Sequence, residues 1–346
     1  MGYLRNGRFG LLLLVALSIL VAVASLVARR ADATADDLSF GGLPLKHVAD
    51  IPLPGRPTRL DYASLDPSRN LLFIAHLGDG EVVVFDTRAS RVTARIADVS
   101  SVHGVLAVPE LSRVYASATG TDEIVAIDAA TSKIVARMPG GHYPDGMAYA
   151  PDVRKLYVSD EYGKTETVID VRSNRRVATI ALDGEAGNSQ YDPVSRHVFV
   201  NVQTRRQLVE IDPATDRVVG RFDLPGAKGN HGLLIDARDG LAFIACEGND
   251  KLIVFDLHTK QVVRSFDVGA DPDVLALDPG PGTLYVAGEA GTVSMFRVQR
   301  ADVAGIGEGR VGPNAHVVAV DATTHRAYFP LKRVDGRPVL RIFEPR

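Results

Sequence analysis

The chain has 346 residues, 39 Lys and Arg against 42 Asp and Glu, a formal net charge of −3, one Cys and no Trp. Charges of both signs are mixed along it without a basic stripe, so no nucleic-acid partner is expected. A single cysteine, Cys246, allows no internal disulfide, and the lack of Trp excludes an indole platform or a tryptophan-derived cofactor.

Arg5 and Arg8 precede the apolar run FGLLLLVALSILVAVASLVA, Phe9 to Ala28, and polar residues follow. A basic head, an apolar stretch and a small-x-small site such as Ala31-Asp32-Ala33 form an export signal. The run exceeds the usual signal core of about 7–15 residues. About 20 apolar residues can span a bilayer, so an uncleaved anchor is the alternative. Either way, residues 1–35 read as a leader and 36–346 as one exported domain, periplasmic or extracellular. Membrane contact is expected only through residues 9–28, if the leader is kept.

From Leu71 onward the chain repeats. VVVFD ends at Asp86, IVAID at Asp128, TVID at Asp170, LVEID at Asp212 and LIVFD at Asp256, 42–44 residues apart, with weaker copies ending at Arg297 and Glu344. Each is preceded by a second apolar run, such as RVYASA or LAFIAC, and before that by a third, such as GMAYA or GLLID. A fourth, such as DRVVGRFDL, follows the Asp. Four short strands with regular turn signals, repeating at this period, predict an all-β fold: a seven-bladed β-propeller of four-stranded antiparallel blades. The last copy stops at RIFEPR without a fourth strand, while LKHVADIPLP, Leu45 to Pro54, is a fourth strand without a preceding copy. The N-terminal strand is therefore expected to complete the last blade and close the ring. The sixth copy, VQRADVAGIGEGRVG, is glycine-rich and predicts a short or irregular outer strand.

Residues 143–180 and 230–263 resemble the YVTN or YncE-like propeller repeat of exported bacterial proteins, and the likeness extends over 45–346. It implies the fold. For function it implies a range, from binding proteins to lactone-acting enzymes. Copy four departs from the pattern, with GNSQYDP where Pro-x-Gly is usual.

Five residues before the end of each first strand lie Asp61, His103, Asp145, Gly187 (beside Asn188), His231, Asp273 and His316. This is where the innermost strand meets the channel, so six of the seven positions should set a ring of Asp and His at one mouth. The metal-ligand set read from it is His103, Asp145, His231, Asp273 and His316, fit for one divalent ion. His103 and His231 are also the acid–base candidates. Glu247, Lys332, Tyr143, Asn230 and Lys228 are placed at the same mouth, with Lys228, Arg205 and Lys332 as contacts for an anionic or polar ligand. Cys246 reads either as a small buried hydrophobe or as a thiolate beside His231 and Glu247. The alternative reading of the ring is structural: Asp caps its own turn and Gly supplies a positive φ. The Asp residues at 86, 128, 170, 212 and 256 are read as turn caps.

No Gly-x-Ser-x-Gly elbow, phosphate loop, His-Glu-x-x-His or Cys-x-x-Cys is present. The function expected is a binding propeller holding a small molecule, a metal ion or a periplasmic protein partner at the channel mouth. The alternative is a metal-dependent lactone hydrolase or lyase acting at the ring.

Overall fold

Each repeat forms a four-stranded antiparallel sheet, and the computed structural model, described over residues 40–300 and 302–346, contains seven of them. The second blade is typical, with strands Val102–Val108, Arg113–Ala118, Glu123–Asp128 and Lys133–Pro139 in sequential order. The seventh is built from Ala319–Asp321, Arg326–Val334 and Arg337–Pro345, with Leu45–Pro52 as its outer strand. The first and last described strands thus pair in one sheet, which closes the ring as expected. These blades fall within one compact unit, Gly42–Arg346. The expected leader lies outside the described residues, and none of the described helices is long and apolar enough to cross a membrane.

The core lies between blades. Phe73 and Val84 of the first blade pack with Val114, Ala116 and Val125 of the second. Leu72, Ile74 and Phe85 on the other face of the first blade pack with Tyr328, Leu340 and Ile342 of the seventh. Alternation along a strand gives every blade two apolar faces, and only neighbours on both sides can cover them. The second strand of each repeat carries a fully buried aromatic: Phe73, Tyr115, Tyr157, Phe199, Phe243, Tyr285 and Tyr328. Each contributes about 1.5–3 kcal/mol of burial.

The repeat aspartates cap turns as expected. Asp86 Oδ1 accepts from the amides of Arg88 and Ala89 at 2.9 and 2.7 Å, and Asp256 Oδ1 from those of His258 and Thr259 at 2.8 Å each. The sixth blade departs from the sequence reading. Its outer strand, Asp302–Arg310, is long rather than short and pairs with Thr292–Gln299 through one register shift, between Met295 and Phe296. Val303 anchors the strand in the core, Ser294 donates to Glu308 Oε2 at 2.6 Å, and a Cβ on Gly307 would lie 2.5 Å from the carbonyl of Gly42, so that glycine admits a close backbone approach.

Candidate binding site at the channel mouth

Several of the ring positions sit at β-bulges, while Asp61 and His316 precede their strands. Register shifts fall between Val102 and Val105, Pro144 and Met147, Asn230 and Leu233, and Pro272 and Leu275. These enclose His103, Asp145, His231 and Asp273. A bulge leaves one residue out of the ladder and re-aims its side chain, here into the channel.

The glycines that follow have a role different from the expected turn. Neither Gly104 nor Gly232 has a positive φ. A Cβ on Gly104 would lie 2.2 Å from the Asp145 carbonyl, and one on Gly232 would lie 1.9 Å from that of Asp273. Glycine is needed because adjacent innermost strands touch backbone to backbone. Asp145 likewise does not cap its own turn: its Oδ1 is buried and has no hydrogen-bond partner.

A cavity of about 500 Å³ opens at this mouth, lined by Asp61, His103, Tyr143, Asp145, His231 and Asp273 of the expected set. Glu247 lines it as anticipated, with Glu161 and Glu289 from other second-strand ends. His316 lies behind Asp273, fully buried, with Nε2 3.9 Å from Asp273 Oδ2. Asn188 sits deeper, accepting the Tyr62 hydroxyl proton at 2.7 Å. Asn230 is fully buried and structural, its amide donating to Gln207 O at 3.0 Å. Lys228, Lys332 and Arg205 are exposed and do not line the cavity.

That placement makes the mouth mostly acidic, where a mixture of both signs is expected from the sequence. Among the described lining residues, Asp61, Asp145, Glu161, Glu247, Asp273 and Glu289 face a single permanent cation, Arg59. Arg59 is itself committed, to Asp61 Oδ2 at 2.9 Å and Glu289 Oε1 at 2.5 Å. Sequence reasoning missed Arg59 and Tyr62. Both flank Asp61, and Arg59 stands two residues before a ring position.

Protonation follows from the network. Burial alone would lower the pKa of His231, but the carboxylates of Asp273, Glu247, Asp145 and Glu161 outweigh it and raise the imidazole to about 9. Its Nε2 lies 3.6 Å from Asp145 Oδ2 and 3.8 Å from Asp273 Oδ1. The Tyr62 hydroxyl, 3.2 Å from Nε2, spends its proton on Asn188 and so accepts from His231. Burial pushes the carboxyls of Asp273, Asp145, Glu161 and Glu247 up from their usual range.

His103 is held by different partners. Its Nδ1 lies 2.9 Å from the carbonyl of Ser101, which can only accept, so Nδ1 carries the proton. In the neutral ring Nε2 then offers a lone pair, to which the Tyr143 hydroxyl, 3.1 Å away, can donate. His316 is oriented in the same way, with Nδ1 3.2 Å from Asn314 O and Nε2 buried without a partner.

Two groups at the mouth could hold a metal, His231 with Glu247 and Asp273, and Asp273 with Glu289 and His316; a third among the described residues is His76 with Asp79 and Glu81. In each, the donor atoms lie within 4.8 Å of one another. Cys246 belongs to none of them. Its Sγ is buried in an apolar cluster with Ile244 and Phe255, and burial pushes the thiol up to about 12, so the thiolate reading falls.

The family model described as YNCE-like beta-propeller matches residues 112–282. None of the curated proteins compared with the chain matches it. Among solved structures, the Kuenenia stuttgartiensis hydrazine synthase is similar, with a TM-score of 0.70 at 15% identity over 81% of this chain and 94% of that one. At that identity the likeness is one of fold.

Proposed function

We propose that the chain, a seven-bladed propeller whose residues 112–282 match the YNCE-like beta-propeller model, is an exported binding protein whose channel mouth holds a small cation. One observation carries the reading. Asp145 Oδ1 and Asp273 Oδ1 are buried acceptors without a donor, in a cavity where carboxylates outnumber cations. An unpaired buried acceptor costs about 1–3 kcal/mol, and a bound cation removes that cost. Anionic ligands meet the wrong sign of charge. The test is thermal melting of residues 36–346 against a panel of divalent metal chlorides and small amines, beside sulfate and citrate. Cations are expected to raise the melting temperature, with the shift lost in Asp145→Asn/Asp273→Asn. Stabilisation by the anions alone overturns the reading.

The two histidines support a second reading, a metal-assisted lactone hydrolase or lyase. A neutral His103 presents a lone pair and His231 a proton to the same cavity, which is the arrangement of a base and an acid. A metal held by Asp273 would supply the polarisation of a carbonyl. Turnover of a lactone panel with added metal, lost in His103→Ala, supports this reading, and no turnover with any metal removes it.

A further inference from the structure

Two residues before the ring position, five blades place a residue in the left-handed region: Ser101, Tyr143, Gly229, Asp271 and Asn314, with φ between 46 and 60°. Four of these are small turn formers that tolerate that backbone. Tyr143, at φ 60°, is the exception, and a bulky residue there is strained. Its ring lines the cavity, with the hydroxyl on His103 Nε2 at 3.1 Å and the ring centroid 5.1 Å from that of His103. Outward, Tyr143 meets Tyr162 at 4.4 Å between centroids, and Tyr162 is 51% exposed. Tyr162 also stands next to Glu161, one of the lining carboxylates. An aromatic pair therefore runs from the cavity lining, at Tyr143, out to solvent at Tyr162, which stands just outside the lining. The cavity volume, about 500 Å³, falls in the range of about 300–1,000 Å³ typical of small organic ligands.

We infer that the cation held at this mouth is a ring-bearing organic ammonium. Its N–H groups reach Asp145 and Asp273, and its ring lies against Tyr143 and Tyr162. This rests on the cation-binding reading above. The ammonium fits because both orphaned carboxylate oxygens need donors, which a primary ammonium supplies in threes. The tyrosine pair adds stacking and the attraction of a tyrosine face for positive charge. Strain at Tyr143 has a reason on this account: the ring is useful where glycine would be easier.

The test is calorimetry on residues 36–346 with tryptamine, butylamine, indole-3-acetate and zinc chloride. Tryptamine is expected to bind at least tenfold more tightly than butylamine, and indole-3-acetate, the same ring with a carboxylate, not to bind. Tyr162→Ala should weaken tryptamine about fivefold to tenfold and leave butylamine unchanged. Tyr143→Gly should abolish the ring preference while its melting temperature stays level or rises, which separates lost contact from lost fold. Equal binding of the two amines, or Tyr variants without effect, overturns the inference and leaves the cation reading standing. Zinc binding without amine binding does the same. Failure of every cation overturns both.

Discussion

Arg341 clasps Asp50 across almost the whole chain, Nε to Oδ1 at 2.7 Å and Nη2 to Oδ2 at 2.5 Å. The two stand directly opposite each other in the pairing of Leu45–Pro52 with Arg337–Pro345. The pair is therefore a lock on ring closure. Burial works against the Asp50 charge, but the hydrogen bonds from Arg341 and then His47 outweigh it and leave the carboxyl below its usual range. Such a group stabilises the fold above its ordinary pKa and loses that contribution as pH falls through the lowered value. Arg341→Ala should cost about 1.5–3 kcal/mol in urea unfolding at pH 7. The gap between variant and native protein should narrow in acid; a gap that holds constant down to pH 3 contradicts the lock.

The close approach of innermost strands makes Gly232 intolerant of any side chain. Gly232→Ala puts a methyl against the Asp273 carbonyl, and neither backbone can yield without breaking the bulge. A loss of about 1–3 kcal/mol is expected. Alanine at Gly336, at φ 83° with nothing within 4 Å of the added Cβ, is the control for backbone strain alone. Urea midpoints of the two variants distinguish contact from strain.

Glu166 supplies a pH dependence away from the mouth. Its side chain is fully buried, with Oε2 accepting from Ser159 at 3.2 Å and Oε1 without a partner. Burial first, and Asp160 second, push its carboxyl well above the usual range. The folded state keeps a proton that the unfolded chain releases above about 4.5. Stability from this group is present in acid and is lost as pH rises, by about 1.4 kcal/mol per pH unit until the folded carboxyl ionises. Glu166→Gln should remove that slope and melt higher than the native protein at pH 8. Parallel melting curves for the two from pH 5 to 8 would show that Glu166 is not held protonated.

Asp273 is where stability and binding should part. It crowds against other carboxylates and is pushed up by burial, with Glu247, Asp61 and Asp145 adding to the shift. Asp273→Asn removes one of these like charges, so the ligand-free protein should melt at the same temperature or higher. Cation affinity should fall at least tenfold, about 1.4 kcal/mol. A variant that melts lower and binds as before would make Asp273 a structural residue.

Much of this architecture was legible from the repeat. The aspartates at strand ends, the buried aromatic in each second strand and the unmatched strands at the two ends are local patterns of period and turn chemistry, and they define blades and closure. Ring positions could be counted because equivalent residues in a repeat occupy equivalent places. The outer strand of the sixth blade was misread in its length, because composition alone made its glycines look irregular. Glycine beside the ring was misread as a turn device, because a close backbone approach between strands 40 residues apart leaves no local mark.

By itself, the sequence determined seven four-stranded blades, their order and the set of Asp and His residues near the axis, since each follows from spacing along one repeat. Only the tertiary structure decided which of them share a cavity, and with what charge. Lys228 and Lys332 turn out to solvent, Glu161 and Glu289 turn in, and Arg59 is held by Asp61 and Glu289. The direction of a side chain at the end of a strand depends on the bulge and on the neighbouring blade. The protonation of His231 depends on carboxylates from two other blades and its own converging on it, Asp145 and Glu161 from one, Asp273 from another and Glu247 from its own. Fields from groups distant in sequence exist only once the ring has closed.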